Sequence, residues 1–364
     1  MMKKQRVVVA MSGGVDSSLT AALLLRQGYE VIGVTMRLWN DPTLPKTEED
    51  PSQRAVEDAK DVADALGIEF HVVDYYDLFE KKIVSYFIRE YQRARTPNPC
   101  IVCNQELKFG ALLAKAREFG ADYLATGHYA QITYDEARDE YFLKKGLDPK
   151  KDQSYVLYHM KQDVLRHFLF PLGGMEKNET RRLAEEMALP VAHKKESQDI
   201  CFIPDNDYKG FLERHCSKMF RAGKIIDMKG NVLGKHNGLA RYTIGQRKGL
   251  GIVAPHPLYV VGMDQKTNTL FVGENKDLFI HELIAEDVSF VAKESPKESF
   301  VAEAKIRYAA PPARARITPM KNSRALVSFD ESQRAMTPGQ SVVFYDGDSV
   351  LGGGIIREPI REDK

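Results

Sequence analysis

The stretch VVVAMSGGVDSSLTAALLLRQG, from Val7 to Gly28, decides how the first part of the chain folds. The stretch RVVVAM, from Arg6 to Met11, is mostly apolar and predicts a short buried strand. The run that follows the glycines predicts a helix ending at Gly28. Between them lies a Ser-Gly-Gly turn. Glycines let backbone N–H groups approach a ligand closely, and a helix N-terminus carries a partial positive charge. The turn therefore predicts an anion site, with phosphate as the anion.

Asp16 does not fit a simple phosphate site, because a carboxylate repels a phosphate. A divalent cation between the two groups would remove the conflict, and so would a capping role for Asp16 at the start of the helix. A tight strand-to-helix turn without any ligand is the structural alternative. The spacing differs from that of the Walker-type loop, which ends in Gly-Lys-Ser or Gly-Lys-Thr.

Length and composition indicate a globular protein of two or three domains, since the chain has 364 residues, 43% of them hydrophobic and 28% charged. The net charge of +1 is uninformative, but its distribution is not. The segment from Lys209 to Lys248 has ten Lys and Arg residues against two acidic ones, a net charge of +8. A segregated basic segment indicates a polyanionic partner, with a solvated basic surface as the alternative.

Four cysteines in a chain of this length do not form a disulfide framework. The basic N-terminus and its apolar run make a poor signal peptide, because glycines and an aspartate interrupt the run. No apolar stretch approaches the roughly 20 residues of a membrane span. We expect a cytoplasmic protein with reduced thiols.

Strands and helices alternate through the first half, which predicts a parallel sheet with helices on its faces. Ligands of such sheets bind beyond the carboxyl ends of the strands, where the Ser-Gly-Gly turn and Thr126-Gly127-His128 both fall. A hairpin is predicted around Lys229-Gly230-Asn231, and short alternating strands after about Leu283 predict a small β-barrel. We expect domains at 1–205, 206–281 and 282–364, the central one small and mixed.

Three cysteines lie in polar surroundings. Cys100 and Cys103 form a Cys-x-x-Cys pair just ahead of a predicted helix, and Cys201 lies in ESQDICFIP. Thiolates near a helix N-terminus suit redox or sulfur-transfer chemistry, and three thiolates also suit a metal or iron–sulfur site. Inert buried cysteine is the third interpretation. Cys216, which has no partner by spacing, is expected to be inert.

The glycine turn SGGVDSS, from Ser12 to Ser18, resembles the signature of the ATP pyrophosphatase (PP-loop) superfamily, whose members cleave ATP to AMP and pyrophosphate. The whole chain, from Val7 to Gly354, resembles the bacterial-type tRNA-specific 2-thiouridylases. The residues that carry this resemblance, in the family's order, are AMSGGVDSS, VTMRLW, TPNPCIVCNQELKFG, LATGHYAQ, KDQSYVLY, ESQDICFI, YTIGQRKGLG and KIRY.

This resemblance implies an α/β catalytic domain with an adenine nucleotide alpha hydrolase-like parallel sheet, a basic tRNA-binding central domain and a C-terminal β-barrel. It implies ATP-dependent sulfur insertion at C2 of the wobble uridine, after adenylation of the C2 oxygen. The implied partners are tRNA and a sulfur-donor protein, either a cysteine desulfurase or a sulfur-relay protein. Mg²⁺ would neutralise the phosphates. The implied ATP-binding residues are Ala10, Met11, Ser12, Gly13, Gly14, Val15, Asp16, Ser17, Met36 and Gly127.

By the same resemblance Cys103 is the nucleophile and Cys201 carries the persulfide, and the two end as a disulfide until reduced. Asn98, Pro99 and Cys100 would line the pocket for the flipped-out base. Some relatives have Asp at the position of Cys100. Because this chain has a third thiol there, a [4Fe-4S] cluster on Cys100, Cys103 and Cys201 is an alternative to the persulfide route.

For tRNA contact the resemblance implies residues in two regions, some suited to phosphates and one aromatic suited to stacking. They are His128, Lys151, Asp152, Gln153, Arg307, Tyr308 and Gln340.

Two other functions compete with thiolation. One is a ligase of the same superfamily, of amidotransferase or argininosuccinate type, although no glutaminase module is evident. The other is a non-catalytic tRNA-binding or iron–sulfur carrier protein.

Overall fold

The computed structural model describes residues 4–44, 51–196 and 200–361. In chain order its strands are β1 Arg6–Ala10, β2 Glu30–Arg37, β3 Glu69–Asp74, β4 Tyr123–Ala125, β5 Ala130–Asp135, β6 Glu140–Lys145, β7 Phe168–Leu169, β8 Gly223–Asp227, β9 Val232–His236, β10 Tyr259–Asp264, β11 Thr269–Gly273, β12 Phe279–Phe290, β13 Phe300–Lys305, β14 Ala313–Met320, β15 Arg324–Arg334, β16 Ser341–Asp346 and β17 Ser349–Ile360.

The helices of the described ranges lie mostly in the first two hundred residues. They are α1 Val15–Arg26, α2 Pro51–Leu66, α3 Tyr76–Phe79, α4 Ser85–Gln92, α5 Pro99–Cys103, α6 Leu113–Glu118, α7 Gln162–Leu165, α8 Lys177–Glu186 and α9 Tyr208–Cys216. Two π-helical segments, Glu80–Val84 and Asn104–Leu112, join α3 to α4 and α5 to α6. None of these helices has both the length and the apolar composition needed to cross a lipid bilayer.

The first domain is built on a five-stranded parallel sheet of order β3-β2-β1-β4-β7, which confirms the predicted α/β fold. Val7, Val8 and Val9 of β1 are fully buried, because helices cover both faces of the sheet. The chain runs from β1 outward to β2 and β3, then returns to place β4 on the other side of β1. Such a reversal opens a crevice at the carboxyl ends of the two middle strands.

The Cys-x-x-Cys pair differs from the prediction. The sequence predicts it just ahead of a helix, but it lies within α5. Asn98 caps this helix, since its side chain accepts a hydrogen bond from the N–H of Cys100 at 3.2 Å. Pro99 occupies the first helical position, where its missing N–H costs no hydrogen bond. The helix therefore begins earlier than its apolar pattern indicates.

The central segment contains a four-stranded sheet of order β10-β11-β8-β9 and the helix α9. The predicted hairpin is confirmed as the antiparallel pair β8 and β9, with Gly230 at φ +89° in its turn. Of the ten basic residues between Lys209 and Lys248, Arg214 pairs with Asp41 and Arg241 pairs with Glu213. Seven others are exposed and without an ion pair among the described residues: Lys218, Arg221, Lys224, Lys229, Lys235, Arg247 and Lys248.

The predicted β-barrel is also confirmed. Strands β12, β15, β14, β13, β16 and β17 pair in that order, and β12 pairs with β17 to close the ring. The first barrel strand begins at Phe279, a few residues before the predicted run of short strands. The hairpin β5–β6 of the first domain joins the edge of this barrel, since Lys144 pairs with Ser349 of β17. The barrel is therefore attached to the first domain.

Candidate active site

The glycine turn, residues 11–14, lies at the carboxyl end of β1 and leads into α1. The backbone N–H of Ser12 donates to Oγ of Ser17 at 3.1 Å, and that hydroxyl donates to the carbonyl of Gly14 at 3.2 Å. Gly14 is the N-cap residue and makes no side-chain cap. The first N–H groups of α1 thus lack a capping side chain, as an anion-binding helix N-terminus requires.

Two glycines keep this turn compact. Gly13 has φ +69°, and a Cβ there would lie 2.5 Å from the carbonyl oxygen of Ala55 in α2. Gly127, after β4, packs against the turn from the other side. A Cβ on Gly127 would lie 2.9 Å from the backbone N of Ser17. The two turns predicted from the sequence at the carboxyl ends of the strands therefore meet at one point beyond the sheet.

The side chain of Asp16 does not cap α1 but accepts two hydrogen bonds on Oδ1. Nζ of Lys177 lies 2.6 Å from that oxygen, and the hydroxyl of Tyr129 donates to it at 2.9 Å. The same Tyr129 oxygen lies 3.0 Å from Oγ1 of Thr180, whose hydroxyl can donate to it. Lys177 is the first residue of α8, and its side chain is only 8% exposed. A buried ammonium group therefore compensates the charge of this carboxylate, for which the sequence suggests a divalent cation or a helix cap.

Glu196 extends this ionic network. Its carboxylate lies 3.0 Å from Nζ of Lys177, 2.6 Å from Nζ of Lys151 and 3.1 Å from Arg181. Burial alone would raise the pKa of Glu196, but hydrogen bonds from Lys151, Lys177 and Arg181 lower it to about 2. Two residues earlier, Lys194 donates to the carbonyl of Gly13 at 2.8 Å and pairs with Asp58. The segment that leads to Cys201 is thus bound to the glycine turn.

The three thiols lie close enough to affect one another. Desolvation raises the pKa of Cys103 to about 11 and that of Cys201 to about 12, and repulsion from neighbouring thiolates adds to both shifts: Cys100 acts on Cys103, and Cys103 and Cys100 act on Cys201. Desolvation also raises the pKa of Cys100. As whole residues, Cys100 and Cys201 are nevertheless exposed, whereas Cys103 is partly buried.

Lys108 connects the thiols to the glycine turn. Its positive charge lowers the pKa of all three cysteines, against the effect of burial. Its Nζ lies 3.3 Å from Nε2 of His128, and Nδ1 of His128 lies 2.6 Å from the hydroxyl of Thr126. Burial, with a further contribution from Lys108, holds the pKa of His128 well below its usual range. His128 directly follows Gly127, so thiols and glycine turn belong to one region.

Three family models together match most of the chain. A tRNA methyl transferase HUP domain matches residues 5–205, a tRNA methyl transferase PRC-barrel domain matches 209–274, and an aminomethyltransferase β-barrel domain matches 280–356. The tRNA-specific 2-thiouridylase MnmA 1 of Caldanaerobacter subterraneus subsp. tengcongensis is 55% identical, over 98% of this chain and 99% of that protein. The chain belongs to the tRNA-specific 2-thiouridylase family.

Other 2-thiouridylases are similar in sequence to this chain over nearly its full length. The MnmA proteins of Acetivibrio thermocellus and Clostridioides difficile are 49% and 48% identical, each over at least 98% of this chain and 100% of the relative. Among solved structures, a 4-thiouridine synthetase–RNA complex with bound ATP is 18% identical and covers 59% of this chain and 51% of that one. The TM-score of this structural match is 0.35.

Apart from His128, the residues predicted from the sequence resemblance to contact tRNA fall into two groups in the structure. In the first domain, Lys151 binds Glu196, and Asp152 accepts hydrogen bonds from the N–H groups of Gly146 and Ser154, each at 3.0 Å. Gln153 accepts from the N–H of Tyr129 at 3.0 Å. The side chains of Asp152 and Gln153 thus fix the backbone around Tyr129, Gly146 and Ser154.

The second group lies on or beside the barrel. Gln340 donates to the carbonyl of Thr96 at 2.8 Å, which attaches the barrel to the segment preceding the thiols. Arg307 donates to the carbonyl of Arg334 at 3.4 Å. Tyr308 is 42% exposed, and its ring stands edge-on to that of Tyr155 with centroids 5.9 Å apart. Tyr308 therefore offers a ring face on which a base could stack.

The remaining predicted residues lie near the carboxyl edge of the sheet. Ala10 ends β1, and Met36 lies near the end of β2, partly buried against two hydrophobic clusters. Pro99 is buried at the start of α5. The thiols present no metal site: within residues 4–44, 51–196 and 200–361, no three His, Cys, Asp or Glu side chains are placed to hold a metal ion.

Four residues of this region were not predicted as site residues: Lys108, Lys177, Lys194 and Glu196. Lys108 and Glu196 stand within stretches that carry the family resemblance, so their position was a usable signal. Lys177 stands in MEKNETRRL, which has the pattern of an ordinary surface helix. Only the packing of α8 against α1 brings its ammonium group to Asp16.

Proposed function

We propose that this chain replaces the C2 oxygen of the wobble uridine of tRNA with sulfur, using ATP as the activating substrate. The observation that carries the proposal is the full-length likeness, up to 55% identity, to proteins named tRNA-specific 2-thiouridylases. The uncapped glycine turn and the neighbouring thiols at the same edge of the sheet support it, because the reaction needs a phosphate site and a sulfur carrier together.

In the first step the C2 oxygen of the uracil attacks the α-phosphorus of ATP, and pyrophosphate leaves. The product is an adenylated oxygen, which is a far better leaving group than the carbonyl oxygen. We assign ATP binding to the ten residues that the family resemblance implies, namely Ala10 to Ser17 together with Met36 and Gly127. Mg²⁺ would neutralise phosphate charge. The ammonium of Lys177 keeps Asp16 from repelling the triphosphate.

In the second step the terminal sulfur of a persulfide on Cys201 attacks C2, and AMP leaves. The thiol of Cys103 then attacks the Cys201 sulfur, which frees the thiocarbonyl and leaves a Cys103–Cys201 disulfide. Alternatively Cys103 releases sulfide first, and the sulfide attacks C2. In both routes an external thiol reduces the disulfide, and a sulfur-donor protein reloads Cys201. The mutual influence of the two thiols supports this pairing.

An iron–sulfur cluster on Cys100, Cys103 and Cys201 is the alternative for the sulfur step. The described residues do not present the geometry of a metal-ligand set at these thiols, and we therefore favour the persulfide. Anaerobic purification followed by iron and sulfide analysis distinguishes the two. Iron-free protein with full thiolation activity supports the persulfide, whereas activity that tracks cluster content supports the alternative.

For the tRNA we assign the base pocket to Asn98, Pro99 and Cys100, and further contacts to the seven residues implied by the family. The exposed basic residues between Lys209 and Lys248 would bind the backbone of the stem. We also propose domain boundaries at 205/206 and 281/282. The ranges of the three family matches, 5–205, 209–274 and 280–356, support these boundaries.

The decisive experiment is mass spectrometry of nucleosides from unmodified tRNA incubated with the enzyme, ATP, Mg²⁺ and a persulfide source. We expect 2-thiouridine from the wild type and from Cys216→Ser, and none from Cys103→Ser or Cys201→Ser. Pyrophosphate release without sulfur in the RNA would indicate another ligase of the superfamily. Neither reaction, with tRNA still bound, would indicate a non-catalytic binding protein.

A further inference from the structure

A cavity of about 430 Å³ lies between the first domain and the barrel. It is lined by one face of α5, by the segment around His159 and by the barrel strands near Asp287 and Ser323. None of its lining residues belongs to the glycine turn, and none is a cysteine. The cavity therefore lies apart from the glycine turn and the thiols, although it shares the residue Asn98 and the helix α5 with the candidate active site.

The cavity lies behind the helix that carries the thiols. Asn98, Ile101, Val102 and Gln105 line it, and their spacing of three, four and seven residues places them on one helix face. Cys100 and Cys103, as a pair three residues apart, lie on the opposite face. Only Asn98, at the start of α5, is common to the cavity and to the residues assigned to the target base. A strand of RNA that crosses the start of this helix would reach both faces.

The barrel contributes a strained wall. Asp287 has φ +51° and Ser323 has φ +50°, a region that non-glycine residues rarely occupy. The pairing of β12 with β17 shifts register between Glu286 and Ser289, and the N–H of Val288 donates to the carbonyl of Ser323 at 2.8 Å. Two left-handed residues beside one cavity cost folding free energy, and such outliers cluster at ligand sites.

Polar side chains line the cavity and are free to hydrogen-bond a ligand. Within the described ranges, the side chains of Tyr86, Gln105, His159 and Lys161 make no hydrogen bond. Burial, with a smaller effect of Lys161, lowers the pKa of His159 to about 4, so its imidazole is neutral and offers one donor and one acceptor. Imidazole and phenol rings can stack on bases, an amide can hydrogen-bond to their edges, and Lys161 can reach a phosphate.

We propose that this cavity binds a second, unpaired nucleotide of the substrate tRNA, next to the uridine that is thiolated. The inference rests on the proposed function. The volume of the cavity lies in the range of small-ligand sites, about 300–1,000 Å³. Holding a neighbouring nucleotide behind the thiol-bearing helix would keep the target base everted, and it would add contacts that a stacked loop cannot make.

The test uses Gln105→Trp, which fills the cavity from an exposed position, and Gln105→Ala, which removes the amide. The matched control is Gln27→Trp, at an exposed glutamine after α1 on the opposite edge of the sheet. We expect Gln105→Trp to raise the KM for tRNA about tenfold, with the KM for ATP unchanged. A photo-crosslinking amino acid at position 105 should label a nucleotide adjacent to the thiolated uridine.

The outcomes separate this inference from the proposed function. Absence of 2-thiouridine from the wild-type reaction would overturn both. Normal thiolation by the wild type, with Gln105→Trp and Gln27→Trp indistinguishable in KM for tRNA, would overturn the cavity proposal alone. So would a crosslink confined to the tRNA stem. A defect of Gln105→Trp only towards the sulfur-donor protein would assign the cavity to a protein partner and reject the nucleotide.

Discussion

Nζ of Lys177 lies 2.6 Å from Oδ1 of Asp16, 161 residues away in sequence. The same ammonium lies 3.0 Å from Glu196, five positions before Cys201. One buried cation therefore joins the acidic residue of the glycine turn to the segment that leads to the proposed sulfur carrier. Because both carboxylates share this ammonium group, movement of either one changes the electrostatic environment of the other.

Replacing Lys177 with Met should destabilise the protein by about 1–3 kcal/mol, because two carboxylates lose their shared partner. ATP-dependent thiolation should fall at least about tenfold, since Asp16 would then repel the phosphates. Urea unfolding and nucleoside analysis measure the two effects. Adding Asp16→Asn should recover part of the lost stability. A double variant as unstable as the sum of both single changes would show that the pair is not coupled.

Glu196 should make stability depend on pH in acid. Its pKa in the folded protein is about 2, against an ordinary value of 4.5. A lowered carboxyl pKa stabilises the fold above the ordinary value, and that contribution is lost as pH falls from about 4.5 towards 2. Glu196→Gln should remove this part of the pH dependence in denaturant titrations. Glu298→Gln, at an exposed residue, should leave the profile unchanged.

The thiols should react slowly at neutral pH in the absence of substrates. With pKa values of about 11 for Cys103 and about 12 for Cys201, less than a thousandth of either is thiolate at pH 7. Alkylation by iodoacetamide, followed by peptide mass spectrometry, should accelerate about tenfold per pH unit up to those values. Lys108→Met should slow it further, because Lys108 favours the thiolates. Rapid labelling of Cys201 at pH 7 would contradict this.

Gly127→Ala should disable ATP use without unfolding the protein. The added Cβ would lie 2.9 Å from the backbone N of Ser17 and from two atoms of Asp16, so the glycine turn must shift. Overpacking of this kind costs about 1–3 kcal/mol. Gly174→Ala is the matched control, since a Cβ there meets nothing within 4 Å. Equal ATP turnover by the two variants would argue against a nucleotide at this turn.

The basic central segment should make tRNA affinity strongly dependent on salt. If Arg247 and Lys248 each contact a phosphate, replacing both with Ala should reduce the slope of log K against log salt by about 1.5–2. Replacing Lys60 and Lys115, which pair with Asp64 and Glu118 on other surfaces, should leave the slope unchanged. Filter binding across a salt series measures both. An unchanged slope in the Arg247/Lys248 variant would show that the tRNA stem does not contact these two residues.

Much of the fold followed from local patterns. The valines of β1, the glycine turn and the alternating strands near the C-terminus have periods and turn residues that specify their elements without long-range information. The start of α5 did not follow, because the cap of Asn98 and the proline at the first helical position extend the helix beyond its apolar pattern. Nor did the attachment of β6 to β17, which depends on a single pairing between distant segments.

The sequence alone determined the glycine turn between β1 and α1 and singled out the three cysteines in polar surroundings, since residue type and short spacing define both. The tertiary structure decided what compensates Asp16, which groups surround the thiols, and that a cavity opens behind α5. Those features depend on contacts between segments that are mostly about a hundred residues or more apart in the chain. Side-chain charge and burial at such contacts depend on the fold, and no local pattern encodes them.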